Sequence, residues 1–299
     1  MRFYDRPYLL LTLAVLFWAG NFILGRAFHG IIPPVALAFW RWLGAAMLVT
    51  WPALPHVRRD YRVLCRHWPV LLLLATVGIA AFNTLAYSGL QYTEAINAFL
   101  IQSLMPVMIV LLSFVIFRER VTKLQSVGIV VSLSGAVTII ARGNLDLLLS
   151  LSANRGDLLV SAAIACYACY SVMLRKRPQV HPLAFIAVIF WIGSLILLPL
   201  YLWEALTVAT LEVRPTTLLV IVYVMVFPSI VSYLCYNRGV ELVGANRAGL
   251  FIHLMPVFGS LMAVLFLGEV FRWFHAVGIL LIGIGIYLAT RRQAAVRGR

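Results

Sequence analysis

The tetrapeptide Leu104-Met105-Pro106-Val107 occurs again, 150 residues further on, as Leu254-Met255-Pro256-Val257. The same offset carries Glu119 onto Glu269, Gly128 onto Gly278, Gly135 onto Gly285 and Arg142 onto Arg292. A one-residue adjustment brings Trp18 onto Tyr167, Arg26 onto Arg175 and Tyr87 onto Tyr236. Apolar segments match one another by composition alone, but Pro, Glu and Gly in a common register mark an internal duplication. The chain divides on this pattern into residues 1–145 and 146–299.

Both units belong in a membrane. Of the 299 residues, 63% are hydrophobic and 11% charged, whereas soluble domains carry about a quarter charged residues. Ten apolar stretches stand between charges and Pro/Gly breaks, at about 8–28, 34–54, 68–90, 95–117, 124–141, 156–174, 182–203, 215–237, 246–267 and 274–290. Each is too long for a tilted barrel strand, so each reads as a helix. The fold class is all-α, integral to the membrane, with ten spans. The basic N-terminus precedes a full-length apolar run with no small-residue cleavage site after it, which reads as a retained first span. The CxxC of Cys166 and Cys169 lies inside a span and reads as packing.

The excess of basic residues, 24 against 10 acidic, would suggest nucleic acid in a soluble protein. Here its distribution matters more. With the N-terminus in the cytoplasm, one side collects Arg2 and Arg6, then Arg58, Arg59, Arg62 and Arg66, then Arg118, Arg120 and Lys123. It also collects Arg175, Lys176 and Arg177, then Arg238 and Arg247, then Arg291, Arg292, Arg297 and Arg299. That is eighteen of the 24; Arg26, Arg142, Arg155, Arg214 and Arg272 fall opposite, and Arg41 lies within a span. The asymmetry places both termini in the cytoplasm and leaves no role for nucleic acid. Five spans per unit is an odd number, so the second unit enters the membrane upside down relative to the first. This inverted-topology repeat is a common architecture of secondary transporters.

The spacing Pro-x12-Glu-x8-Gly-x6-Gly occurs at Pro106/Glu119/Gly128/Gly135 and at Pro256/Glu269/Gly278/Gly285. Together with Trp18-Ala19-Gly20-Asn21-Phe22 and Phe39-Trp40-Arg41-Trp42 it resembles the drug/metabolite transporter superfamily, and within it the EamA-type family, over nearly the whole chain. The first span is most similar to bacterial exporters of aromatic and other neutral amino acids. The resemblance implies a ten-helix fold, a central cavity between the halves, alternating access, and efflux across the inner membrane.

The residues themselves point the same way. All ten carboxylates fall at or near span ends, so the buried acids usual in proton and sodium sites are missing. Aromatic and amide side chains share inner helix faces: Trp18 with Asn21, Asn83 with Tyr87, Phe99 with Gln102 and Pro106, Tyr167 with Tyr170, and Tyr236 beside Tyr233. Such a lining suits a neutral or zwitterionic substrate with an apolar side chain. Arg41 is the one cation well inside a span; it needs a partner, a water-filled cavity, or a route for its tip towards the surface. A substrate carboxylate would serve it. His253 is the deepest histidine, a cavity donor or a hydrogen-bonded packing group.

Pro106 and Pro256 remove a helical hydrogen bond mid-span and bend their helices, which suits hinges. Glu119 and Glu269 close those helices as gate or packing groups. Gly128, Gly135, Gly278 and Gly285 make small faces for close helix contact. The expected function is export of amino acids and related small metabolites by a monomer in the lipid bilayer, without metal, cofactor or enzymatic activity. Sugars, nucleotide-sugars and organic cations or drugs are the alternative cargo.

Overall fold

A computed structural model describes residues 3–27, 32–93, 95–149, 152, 154–212, 214–267 and 270–290. All regular structure among them is helical, as lipid-exposed backbone requires. In chain order the helices are α1 (Pro7–Ala27), α2 (Pro34–Arg66), α3 (Trp68–Gly89), and α4 (Ala95–Gln102 with Met105–Phe117). Then come α5 (Lys123–Ile140), α6 (Arg155–Lys176), α7 (Pro182–Thr207) and α8 (Pro215–Val243). Last are α9 (Ala245–Leu250 continuing to Leu254–Leu267) and α10 (Trp273–Thr290). Eight of these helices, all but α1 and α9, are long and apolar enough to cross a membrane.

Local chemistry sets the helix starts. Proline opens α2, α7 and α8, where its missing N–H has no partner to lose. Reciprocal capping boxes open α5 (Thr122 with Gln125) and α6 (Asn154 with Asp157), each satisfying two N–H groups that the helix cannot. Gly244 sits at φ +82° between α8 and α9, a conformation that closes a helix and disfavours any side chain.

The two prolines of the repeat behave alike. α4 breaks after Gln102, and Pro106 stands in the first turn of the helix that resumes at Met105. α9 tightens to a 3₁₀ turn at Phe251–His253, and Pro256 follows in the next turn. The break puts Phe99 and Gln102 on one helical piece and Pro106 on the next. The second helix extends past the expected span of 34–54. Pro52 and Pro55 lie inside α2, which runs on to Arg66 because an amphipathic sequence follows them.

Helices pair across the repeat. The most extensive contacts join α5 to α10 and α2 to α7, each pair being counterparts of one another; α3 with α6 and α1 with α8 come next, and these two pairs are each other's counterparts. The α5–α10 seam is backbone against backbone. A Cβ on Gly128 would lie 2.6 Å from the Gly285 carbonyl oxygen, and one on Gly135 would lie 2.7 Å from that of Gly278. No side chain fits there.

A second matched feature is a π-helical stretch in the middle of α3 (Thr76–Ala81) and of α8 (Met225–Val231). A π turn leaves carbonyls out of the regular ladder. Gly78 and Pro228, 150 residues apart, each present such a carbonyl to an aromatic side chain: the Tyr233 hydroxyl donates to Gly78 at 2.5 Å, and the Trp18 indole donates to Pro228 at 3.0 Å.

Candidate substrate-binding site

A small, partly open cavity lies where the two units meet. α1 contributes Trp18 and Asn21, α2 Arg41, α3 Phe82, α4 Gln102 and Met105, α6 Tyr167, α8 Tyr233, and α9 Ile252 and Met255. Six of these, Trp18, Asn21, Arg41, Gln102, Tyr167 and Tyr233, are among the residues expected from sequence.

Arg41 organises the polar side. Its side chain is 2% exposed, so it turns inward and does not reach for the surface. Nε donates to the Ser229 hydroxyl at 2.6 Å. Nη1 faces Tyr87 Oη at 2.8 Å, Asn83 Oδ1 at 3.1 Å and Asn21 Oδ1 at 3.4 Å, and Nη2 donates to the Pro228 carbonyl at 3.2 Å. The Tyr87 hydroxyl in turn donates to Asn21 Oδ1 at 3.0 Å. The guanidinium lies 4.8 Å from the Trp42 ring centre, a cation–π contact strengthened by burial. Every one of these partners is neutral, and Arg41 forms no ion pair among the described residues. Among the described residues, one Nη2 N–H is left without an acceptor, of the five N–H groups that a guanidinium offers.

Aromatic rings make the rest of the wall. Trp18 meets the edge of Tyr167 at 5.5 Å and tilts against Tyr236 at 5.1 Å; Tyr167 also packs on Phe82 at 4.8 Å. Tyr170 and Tyr236 stand behind this layer, fully buried, with their hydroxyls bonded to Asn237 and Ser171. The Tyr167 hydroxyl is different: buried, it has no hydrogen-bond partner among the described residues. An unsatisfied buried donor is uncommon in a folded protein and calls for an explanation.

Other expected residues sit elsewhere. His253 is fully buried beside the cavity lining, where Nε2 donates to the Ser103 carbonyl at 2.8 Å and Nδ1 faces the Ser132 hydroxyl. A carbonyl only accepts, so the proton is on Nε2 and Nδ1 accepts from the serine. Ser103 and His253 are themselves 150 residues apart, so this bond ties the two helix breaks together. Phe99 is half-buried on α4. Glu119 pairs with Arg175 at 3.4 Å rather than with its neighbour Arg118, whose backbone is left-handed at φ 55°. Glu269 lies outside the described residues.

Tyr233, expected on an inner face beside Tyr236, does line the cavity, whereas sequence inspection missed Phe82, Met105, Ile252 and Met255 in the lining and Pro228 and Ser229 as acceptors for Arg41. It also missed Glu204, which is 4% exposed and accepts from the Val35 and Ala36 amides at 3.1 and 2.7 Å. That carboxylate caps α2 from the far end of α7, where the helix dipole favours negative charge.

A two-unit helical membrane protein with a central polar–aromatic cavity is the architecture of a small-molecule carrier. The EamA-like transporter family model matches residues 6–141 and 154–291, and the chain belongs to that family. It is 27% identical to an uncharacterized transporter, YyaM, of Bacillus subtilis (strain 168), over 95% of this chain and 93% of the other. It is 26% identical to a probable amino-acid metabolite efflux pump of Salmonella typhimurium, over 97% and 98% of the two chains. A crystal structure 20% identical in sequence superposes with a TM-score of 0.77 over 95% of this chain and 96% of the other, which speaks to the fold.

Proposed function

We propose that this protein exports amino acids, aromatic or neutral, and related small metabolites across the inner membrane by alternating access. In this reading ten spans form two inverted sets of five, with both termini cytoplasmic, and the chain works as a monomer. The named efflux pump among its relatives supports the cargo class. The observation that carries the reading is Arg41: a cation at the cavity wall, held by neutral acceptors only, with one N–H to spare. A zwitterionic substrate would bring a carboxylate to that N–H and lay its side chain among Trp18, Phe82, Tyr167 and Tyr233. The unpartnered Tyr167 hydroxyl offers a second polar contact. Pro106 and Pro256 serve as hinges at the helix breaks, and Glu119 and Glu269 as gate residues near the ends of α4 and α9.

The test is uptake by proteoliposomes under an imposed gradient, with labelled aromatic and aliphatic amino acids beside a sugar and an organic cation. Movement of the amino acids alone is expected, and its loss in Arg41→Gln and Arg41→Lys. Movement of only the sugar or the cation would overturn the cargo assignment. Normal transport by both variants would remove Arg41 from substrate contact.

A further inference from the structure

Helix α2 is longer than a membrane is thick. Its 33 residues span about 50 Å, against a hydrocarbon core of about 30 Å. Helix α3 starts at Trp68, directly after the turn at His67, and its 22 residues suffice for one crossing only. The chain is therefore at the same membrane face near residue 54, where the apolar part of α2 ends, and at residue 68. A rigid helix over 55–66 that projected into solvent would carry its far end about 18 Å from that face. Both ends stay at the face when 55–66 lies along it.

The inner side of this segment is pinned to the start of α7. The His56 ring stacks on His181 at 3.5 Å, and Asp60 accepts from the His181 amide at 3.0 Å. The opposite side is uncovered: Trp51, Pro55, Arg58, Arg62, Cys65 and Arg66 are all exposed and fall within one helical face at 100° per residue. Arg58, Arg62 and Arg66 follow one another at one-turn spacing, and none forms an ion pair among the described residues. The one acid of the segment, Asp60, is taken up by Arg59 and His181. Three unpaired guanidiniums beyond an interfacial tryptophan match the layering of a leaflet edge, acyl border first and phosphates next.

We propose that residues 55–66 are an interfacial helix that docks on anionic phospholipid headgroups of the cytoplasmic leaflet, with Arg58, Arg62 and Arg66 holding the phosphates and Trp51 seated at the acyl border. The choice of leaflet rests on the orientation proposed above; the preference for anionic lipid does not.

Cys65, exposed on the same face, provides the probe. The full chain, with Cys166, Cys169 and Cys235 replaced by serine, carries bimane on Cys65 in phosphatidylcholine vesicles containing about 30% phosphatidylglycerol. Nitroxide-bearing phosphatidylglycerol is expected to quench the label more strongly than the phosphatidylcholine analogue, and aqueous iodide only weakly. With each arginine near an anionic surface worth roughly fivefold in local lipid occupancy, Arg58→Gln/Arg62→Gln/Arg66→Gln should abolish the preference. The matching triple lysine variant should keep it, which separates charge from misfolding. Strong iodide quenching, or an undiminished preference in the glutamine variant, would overturn the proposal. Reaction of Cys65 with an impermeant maleimide added outside intact cells would overturn the leaflet and the orientation, and would leave the vesicle result standing.

Discussion

The two units share a scaffold and differ in what they place around it. Under the offset that carries Tyr87 onto Tyr236, Asn21 corresponds to Tyr170, Arg41 to Phe190 and Asn83 to Ser232. The first set converges on a buried cation and its neutral acceptors. The second is a solid aromatic core: Phe190 packs on Trp42 at 4.9 Å and on Tyr233 at 5.7 Å, and Tyr170 and Tyr236 spend their hydroxyls on their own unit. Duplication thus supplies matched helix breaks, π stretches and glycine seams, while the buried cation Arg41 has an apolar ring, Phe190, as its counterpart.

The largest expected effect comes from Arg41. Arg41→Met should abolish transport and cost about 2–4 kcal/mol of stability, because the acceptors gathered around the guanidinium lose their donor inside the protein; thermal melts with a transport assay measure both. The counterpart change Phe190→Leu should lower stability by only ~1 kcal/mol and leave substrate affinity unchanged. Equal transport defects in the two variants would break the contrast between the units.

The glycine seam should behave symmetrically instead. Gly135→Val and Gly278→Val each drive a side chain into the opposing carbonyl, and each should cost ~3 kcal/mol, read as equal losses of folded protein in detergent. A large inequality would show that the seam is not shared evenly. Smaller effects sharpen the site comparison. Tyr87→Phe removes the hydroxyl between Arg41 and Asn21 and should weaken substrate binding several-fold at a stability cost of ~1 kcal/mol. Tyr236→Phe should show the stability cost alone.

The smallest effect concerns the starts of α2 and α7. Helix α2 is capped by Glu204, whereas α7 is capped by His181, whose Nδ1 accepts from the Leu183 amide at 3.3 Å. Burial first, then the stacked His56 ring and nearby Arg59, push the His181 imidazole below the usual histidine value. A lowered value means that the unfolded chain binds the proton more readily. The stabilisation is complete above about pH 6.5 and is lost as pH falls below it. Melting temperature should drop modestly between about pH 7 and 5.5, and His181→Asn, which caps without titrating, should flatten that slope.

Much of this architecture was legible in the sequence because it is local or repeated. Mid-span prolines, glycines one face apart and the basic loops each carry a physical meaning that needs no neighbour. The inner face of α1 was legible too, since Trp18 and Asn21 share a helix stripe. What helical periodicity does not provide is the partner across the gap. Ser229 and the Pro228 carbonyl reach Arg41 only because α8 loosens into a π stretch, and nothing in Met225–Val231 announces that turn. Glu204 looked like an ordinary span-end acid; its burial depends on the N-terminus of α2 arriving from well over a hundred residues away.

The backbone seam of α5 and α10 has an energetic consequence. Exchanging the two units maps Gly128 against Gly285 onto Gly278 against Gly135, so the seam is its own image. Two conformations related by that exchange would keep the glycine–carbonyl contacts, while the flanking side chains differ, Ala289 against Ile139 and Ser132 against Ile282. The glycine contacts would favour neither conformation, and the balance would rest on the parts that differ: those flanking side chains, the Arg41 cluster, the caps and the ion pairs at the two ends.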